Sequence, residues 1–190
     1  MNIAISNFDK CHILVVGDMM LDEYVWGKVD AQKHGKMTIA DPKGLDFSKY
    51  AGVSLLTPNK KEATLAAGLD TVSRSTVLEA GEKLLRITDI GCLIITCGKD
   101  GMVIFERNRS PHMIRAVARQ VFDVSGAGDT VLSVIGLALA SGLSHEMAAA
   151  VANAAAGIVV GKVGTATISK AELVSALAAY PEHIPEKGRF

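Results

Sequence analysis

Short apolar runs bounded by turn signals alternate along this chain with longer stretches of helical periodicity. That alternation restricts the fold more than any other feature. Residues 12–17, 37–40, 53–56 and 92–96 read as buried strands, each followed within two residues by Gly, Asp or Pro. Helical stretches at 59–67 and 76–87 fall between them. Asn59 opens the first, with Glu62 three residues on. Thr76 opens the second, with Glu79 three residues on, the spacing of a capping box. Residues 102–106 and 112–118 alternate as a strand pair around a turn at 108–111, and 27–36 reads as a polar loop. Three helices, 126–141, 144–161 and 170–180, close the chain, the last with Ser169 and Glu172 as its capping box. Such a pattern predicts an α/β fold, a largely parallel sheet covered on both faces. Ligands in such folds lie beyond the carboxyl ends of the strands. Asp18, Asp41, Asn59, Thr96 and the turn at 123–129 all fall at those ends.

With 20 basic and 20 acidic residues the chain has no net charge, so nothing in its electrostatics points to nucleic acid. At 190 residues a single domain with a substantial core is expected. The most apolar windows, 131–140 and 147–161, fall short of the roughly 20 residues a membrane-spanning helix needs. Residues 1–10 include Asp9 and lack the order of a signal peptide. Three cysteines, Cys11, Cys92 and Cys97, show no metal-ligand spacing. Cys92 and Cys97 flank an apolar run and read as small buried hydrophobes, which fits a reducing cytoplasm.

The run Asp123-Val-Ser-Gly-Ala-Gly-Asp129 carries the clearest chemistry. Gly126, Ala127 and Gly128 at a helix start offer free backbone N–H groups to one point, and the helix dipole favours an anion there. Asp129 sits inside that anion site. Amides that hold phosphate charge, beside a carboxylate that accepts a proton, suit phosphoryl transfer. Read alone, the run is more readily a tight strand-to-helix turn with a dipole-favoured Asp than a catalytic site. Likewise Asn59-Lys-Lys-Glu62 has a structural reading as a helix cap.

The longer pattern Asp-Val-Ser-Gly-Ala-Gly-Asp-Thr resembles the C-terminal signature of the ribokinase-like (PfkB) carbohydrate kinases, with Val134 where Ala or Gly is usual. The resemblance implies a three-layer α/β/α fold with a mostly parallel central sheet, and ATP and Mg²⁺ as cofactors. It implies Asp129 as catalytic base and the amides of 126–128 as the anion hole. It implies Glu62 of the Asn59-x-x-Glu62 motif as a Mg²⁺ residue acting through water; one carboxylate is chemically sufficient for an ion that keeps its waters. Thr96, Gly98, Gly101 and Asn153 would approach the nucleotide, and Lys43 a phosphate. Asp18 and Asp22 would bind sugar hydroxyls. Asp123 would help hold a monovalent cation such as K⁺.

Residues 15–27, 41–50, 55–62 and 153–165 further resemble the heptose 7-phosphate kinase domain of the ADP-heptose synthases, which serve lipopolysaccharide core synthesis. That resemblance has a gap. About a dozen residues, 28–40, stand where such domains carry a long segment with the Gly-Gly pair that contacts the sugar, the lid strands and further sheet elements. No Gly-Gly occurs anywhere in the chain. The expectation is therefore one shortened kinase domain, its lid and part of its N-terminal half missing. Transfer residues are retained and most of the sugar pocket is lost. Three readings follow: a heptose-phosphate kinase of full or reduced activity, a nucleotide-binding remnant, or an interaction protein completed by a partner chain. Uncovered apolar sheet surface predicts self-association into a homo-oligomer.

Overall fold

The computed structural model of the chain describes residues 5–15, 35–117 and 122–179. Asp18 and Asp22, expected to bind the sugar, and most of the 27–36 loop lie outside the described residues.

Five strands form one sheet in sequence order: β1 (Ile39–Ala40), β2 (Leu55–Leu56), β3 (Cys92–Thr96), β4 (Met102–Glu106) and β5 (His112–Ile114). β1, β2 and β3 run parallel, while β4 pairs antiparallel with both β3 and β5. Among the described residues these helices cover it: α1 (Lys60–Ala66), α2 (Arg74–Ile87), α3 (Ala127–Ala140), α4 (His145–Val159) and α5 (Lys170–Ala179). Alternation along the strands divides the core. Leu55, Cys92, Ile94, Met102, Ile104 and Ile114 meet α3, α4 and α5 on one face. Leu56, Leu93, Ile95, Val103 and Phe105 meet α1 and α2 on the other. Because neither face of β3 sees water, its pattern is a continuous apolar run. The result is the expected three-layer α/β/α arrangement.

Local chemistry sets the boundaries. Asn59 caps α1, its Oδ1 accepting from the backbone N–H of Lys61 and Glu62 at 3.0 Å. Ser73, not Thr76, caps α2; Thr76 instead returns its hydroxyl to the Ser73 N–H at 2.8 Å, so the helix starts a turn earlier than predicted. Ser169 and Glu172 close the expected box at the start of α5. α4 is buried over Ala148–Ala150 and again at Ala152, Ala154 and Ala155, which lets α3 lie close against it. On the opposite face Gly81 of α2 makes room for an aromatic ring: a Cβ there would lie 2.2 Å from Cζ of Phe105.

Two predicted strands are not formed as read. Residues 115–117 leave the sheet after Ile114. Residues 12–15 adopt no strand and are exposed, Leu14 by 88% and Val15 by 84%. Their apolar character suits a sheet interior, but among the described residues β1 makes its ladder with β2 alone. Ile13 touches the fold through α3, where it and Ile39 would each lie 3.9 Å from a Cβ added at Gly136.

Candidate active site

Topology gathers the predicted residues at one edge of the sheet. β1, β2 and β3 point the same way, so Asp41, Asn59 and Gly98, which follow them, line that edge. β5 points the same way again and delivers Arg115 there, while Glu106 at the end of β4 lies at the opposite edge. α4 starts at that opposite edge, where His145 Nδ1 stands 2.7 Å from Glu106 Oε1. It reaches the first edge at Asn153, whose Nδ2 donates to the Arg115 carbonyl at 2.7 Å. α3 joins α4 through the short link 141–144 and packs against it, so the two are antiparallel and α3 begins at the site edge. The Phe122 N–H, donating to the Val160 carbonyl at 2.8 Å, ties the signature turn to the end of α4.

Within the turn, Gly126 caps α3 at φ +75°, a left-handed backbone that a side chain would strain. No side chain caps this helix. The Ala127 N–H is engaged by the Val124 carbonyl at 3.2 Å, whereas the amides of Gly128 and Asp129 have no intrahelical acceptor by geometry. A Cβ on Gly128 would meet nothing within 4 Å, so this side of the helix start is open. Asp129 lies in the first turn, exposed, and no hydrogen-bond or ion-pair partner of its carboxylate is found among the described residues. Asp123 braces the turn, accepting from the Ser125 N–H at 2.9 Å and the Gly164 N–H at 3.2 Å. These bonds, Ser125 first, hold its carboxyl below the usual range.

The Asn59–Glu62 pair does two things at once. Glu62 Oε2 accepts the Asn59 N–H at 2.8 Å and completes the capping box. Its Oε1 faces Lys43 Nζ at 3.5 Å, and the same ammonium lies 2.7 Å from Asp41 Oδ2. Burial works against the Lys43 ammonium, but the Asp41 and Glu62 carboxylates outweigh it and raise its pKa. Two carboxylates thus converge on one cation. Asp41 is the residue whose part the sequence reading left unassigned; the signal was its place, directly after a strand and before a Pro, like the other site positions.

Asn59 and Thr96 sit side by side as an isolated parallel bridge, the Thr96 N–H donating to the Pro58 carbonyl at 2.9 Å. Gly98 is exposed, with open space where a Cβ would project. Gly101 is buried, and at φ +94° a Cβ would come within 1.9 Å of the Ile114 carbonyl oxygen. Its role in the fold is to let the 98–101 turn close onto β5. Asn153 is buried rather than on a helix surface. Three apolar side chains near the signature turn, Phe122, Val124 and Val163, are 65%, 68% and 87% exposed.

Residues 28–172 match the family model described as pfkB family carbohydrate kinase. The bifunctional protein HldE of Desulfatibacillum aliphaticivorans is 54% identical over 147 residues, 77% of this chain and 30% of that one. HldE of Syntrophotalea carbinolica is 43% identical over 190 residues, 97% of this chain and 39% of that one. The chain thus spans about a third of the length of these relatives. Among solved structures, Arabidopsis thaliana ribokinase complexed with ribose and ATP superposes with a TM-score of 0.69 at 26% identity, covering 76% of this chain and 48% of that one. Escherichia coli phosphofructokinase-2 in complex with potassium superposes with a TM-score of 0.71 at 21% identity, covering 80% and 50%.

Proposed function

The chain belongs to the pfkB family of carbohydrate kinases, and from that premise we propose that it is a phosphotransferase of the D-glycero-β-D-manno-heptose 7-phosphate 1-kinase type, acting in ADP-heptose and lipopolysaccharide core synthesis. The observation that carries this reading is the single edge shared by Asp129, the open amides of its turn, Asn59, Glu62, Thr96 and Asn153. ATP lies along that edge. Its phosphates face the amides of Gly128 and Asp129, its nucleoside part approaches Gly98 and Asn153, and Lys43 turns toward a phosphate. Asp129 takes the proton of the anomeric hydroxyl as that oxygen bonds to the γ-phosphorus and the bond to the ADP oxygen breaks. Asp18 and Asp22 hold the sugar, and Asp123 contributes to a K⁺ site.

The residues present fit Mg²⁺: Asp41 and Glu62 already converge on the Lys43 ammonium, and a hard divalent ion with most of its waters suits two carboxylates. When bound, Mg²⁺ neutralises charge on the transferring phosphate. Glu62 serves it without leaving the helix cap, because its two oxygens are divided between the two tasks.

ADP release from Mg-ATP, measured with and without heptose 7-phosphate, tests the reading. Sugar-dependent turnover that falls roughly 10²–10⁴-fold in Asp129→Asn supports it. Turnover indifferent to both sugar and substitution sinks it. The exposed Phe122, Val124 and Val163 favour a second reading, in which the site works only when covered, by a second copy or by a partner chain. In that case the isolated chain binds ATP without turnover, and activity appears with association.

A further inference from the structure

The opposite edge of the sheet holds a separate group of side chains. Cys92, the first residue of β3, stands directly across the ladder from Glu106, the last of β4. His145, the first residue of α4, packs over both. The Cys92 Sγ, a Glu106 carboxylate oxygen and a His145 ring nitrogen all lie within 4.8 Å of one another. We propose that these three side chains form a binding site for a thiophilic divalent cation of the zinc type, one per chain, remote from the phosphoryl-transfer edge. The remoteness follows from β3, whose other end is Thr96: four residue steps of extended chain put the two sites roughly 13 Å apart.

The donor set selects the ion. One sulfur, one imidazole nitrogen and one carboxylate oxygen suit zinc, whereas a hard ion such as Mg²⁺ takes oxygen alone. The spacing is close to what coordination needs. Tetrahedral bonds of about 2.0 Å to N and O and 2.3 Å to S set donor pairs roughly 3.3–3.7 Å apart. The His145–Glu106 contact of 2.7 Å is a hydrogen bond, and an ion placed between the two atoms widens it by roughly half an ångström. Supporting contacts are present too. Arg109 holds the other Glu106 oxygen at 2.9 Å, which aims Oε1 at His145. The ladder fixes Cys92, which is fully buried, while Glu106 and His145 side chains keep 18% and 28% exposure and give the ion an entrance and a place for water. Burial, with the Glu106 charge, keeps the Cys92 sulfur a thiol when no ion is bound. Binding therefore expels the Cys92 proton, so that the sulfur binds as thiolate, while His145 offers its Nδ1 lone pair with the ring proton on Nε2. A bound ion would pin the start of α4 to the β3–β4 ladder.

Cobalt(II) titrated into the reduced, metal-stripped full chain, with Mg²⁺ in excess to occupy hard oxygen sites, reads the site directly. One equivalent gives a near-ultraviolet thiolate-to-cobalt charge-transfer band, which Zn²⁺ bleaches by displacement. Cys92→Ala abolishes the band, while Cys11→Ala and Cys97→Ala keep it. His145→Gln, at a half-buried position that leaves the core intact, weakens cobalt binding at least tenfold. Zn²⁺ raises the melting temperature of the parent chain by about 3 °C or more and leaves that of His145→Gln unchanged. Absence of the band, its survival in Cys92→Ala, or unchanged affinity in His145→Gln overturns the proposal.

Discussion

Two apolar segments of similar composition meet opposite fates in this chain. Cys92 to Ile95 of β3 is wholly buried, with α4 on one face, α1 and α2 on the other, and a strand on each side. Residues 12–15 carry an equally strand-like pattern, yet Leu14 and Val15 face solvent and no strand forms. What separates them is the supply of neighbours. β3 has all four of its sides taken within the chain, whereas among the described residues no strand pairs with β1 on the side away from β2. Apolar periodicity states what a segment can bury; only the rest of the molecule decides whether it does.

The sharpest break of that comparison is a pair of truncations. Ile94→Ala is expected to cost about 2–5 kcal/mol, because it leaves a cavity at a fully buried site, while Leu14→Ser should stay within about 0.5 kcal/mol. Urea melts of both variants measure this. A large loss in Leu14→Ser would mean that the 12–15 segment is covered in solution, the condition that self-association at this edge requires. Next in size, Asn59→Ala removes the acceptor of two α1 amides and is expected to lower stability by about 1 kcal/mol. It should also weaken Mg-ATP binding, since the first turn of α1, which carries Glu62, loses the side-chain cap that holds it in place. A stability loss with unchanged nucleotide affinity would confine this pair to the helix cap. The smallest effect is at the α5 end. A bond from Lys162, then bonds from Ser169, hold Glu172 at a pKa of about 2. A depressed carboxyl stabilises above its unfolded pKa of about 4.3, and the contribution is lost as pH falls through the folded value. Glu172→Gln should therefore flatten the acid limb of the stability profile between about pH 4 and pH 2, seen in melts across that range.

Much of this organisation could be read from local sequence, and the misses share a cause. The extents of β3 and β4, the Asn59 and Ser169 caps and the buried Cys92 and Cys97 depend on short-range chemistry or on apolar runs too strong to mistake. The α2 cap was misplaced because Thr76 answers Ser73 rather than starting a box of its own. A single polar residue in an Ala-rich helix, such as Asn153, more often marks an exposed face than a buried one. Here the whole stretch is buried, and the amide is satisfied by a carbonyl 38 residues distant. The Asp41–Lys43–Glu62 cluster needs two strand ends brought together, and nothing in the order of residues measures that distance.

Gly81 and Phe105 lie on different elements and far apart in sequence, yet they fill one volume: the ring occupies the place a methyl on α2 would need. A library that varies either position alone will find almost every change harmful. One that varies both together has a route through, with Ala at the helix and a smaller aliphatic at the strand exchanging the space between them. Covariation of this kind needs neither ligand nor catalysis. Among relatives, alanine in place of this glycine of α2 should be accompanied by loss of the ring.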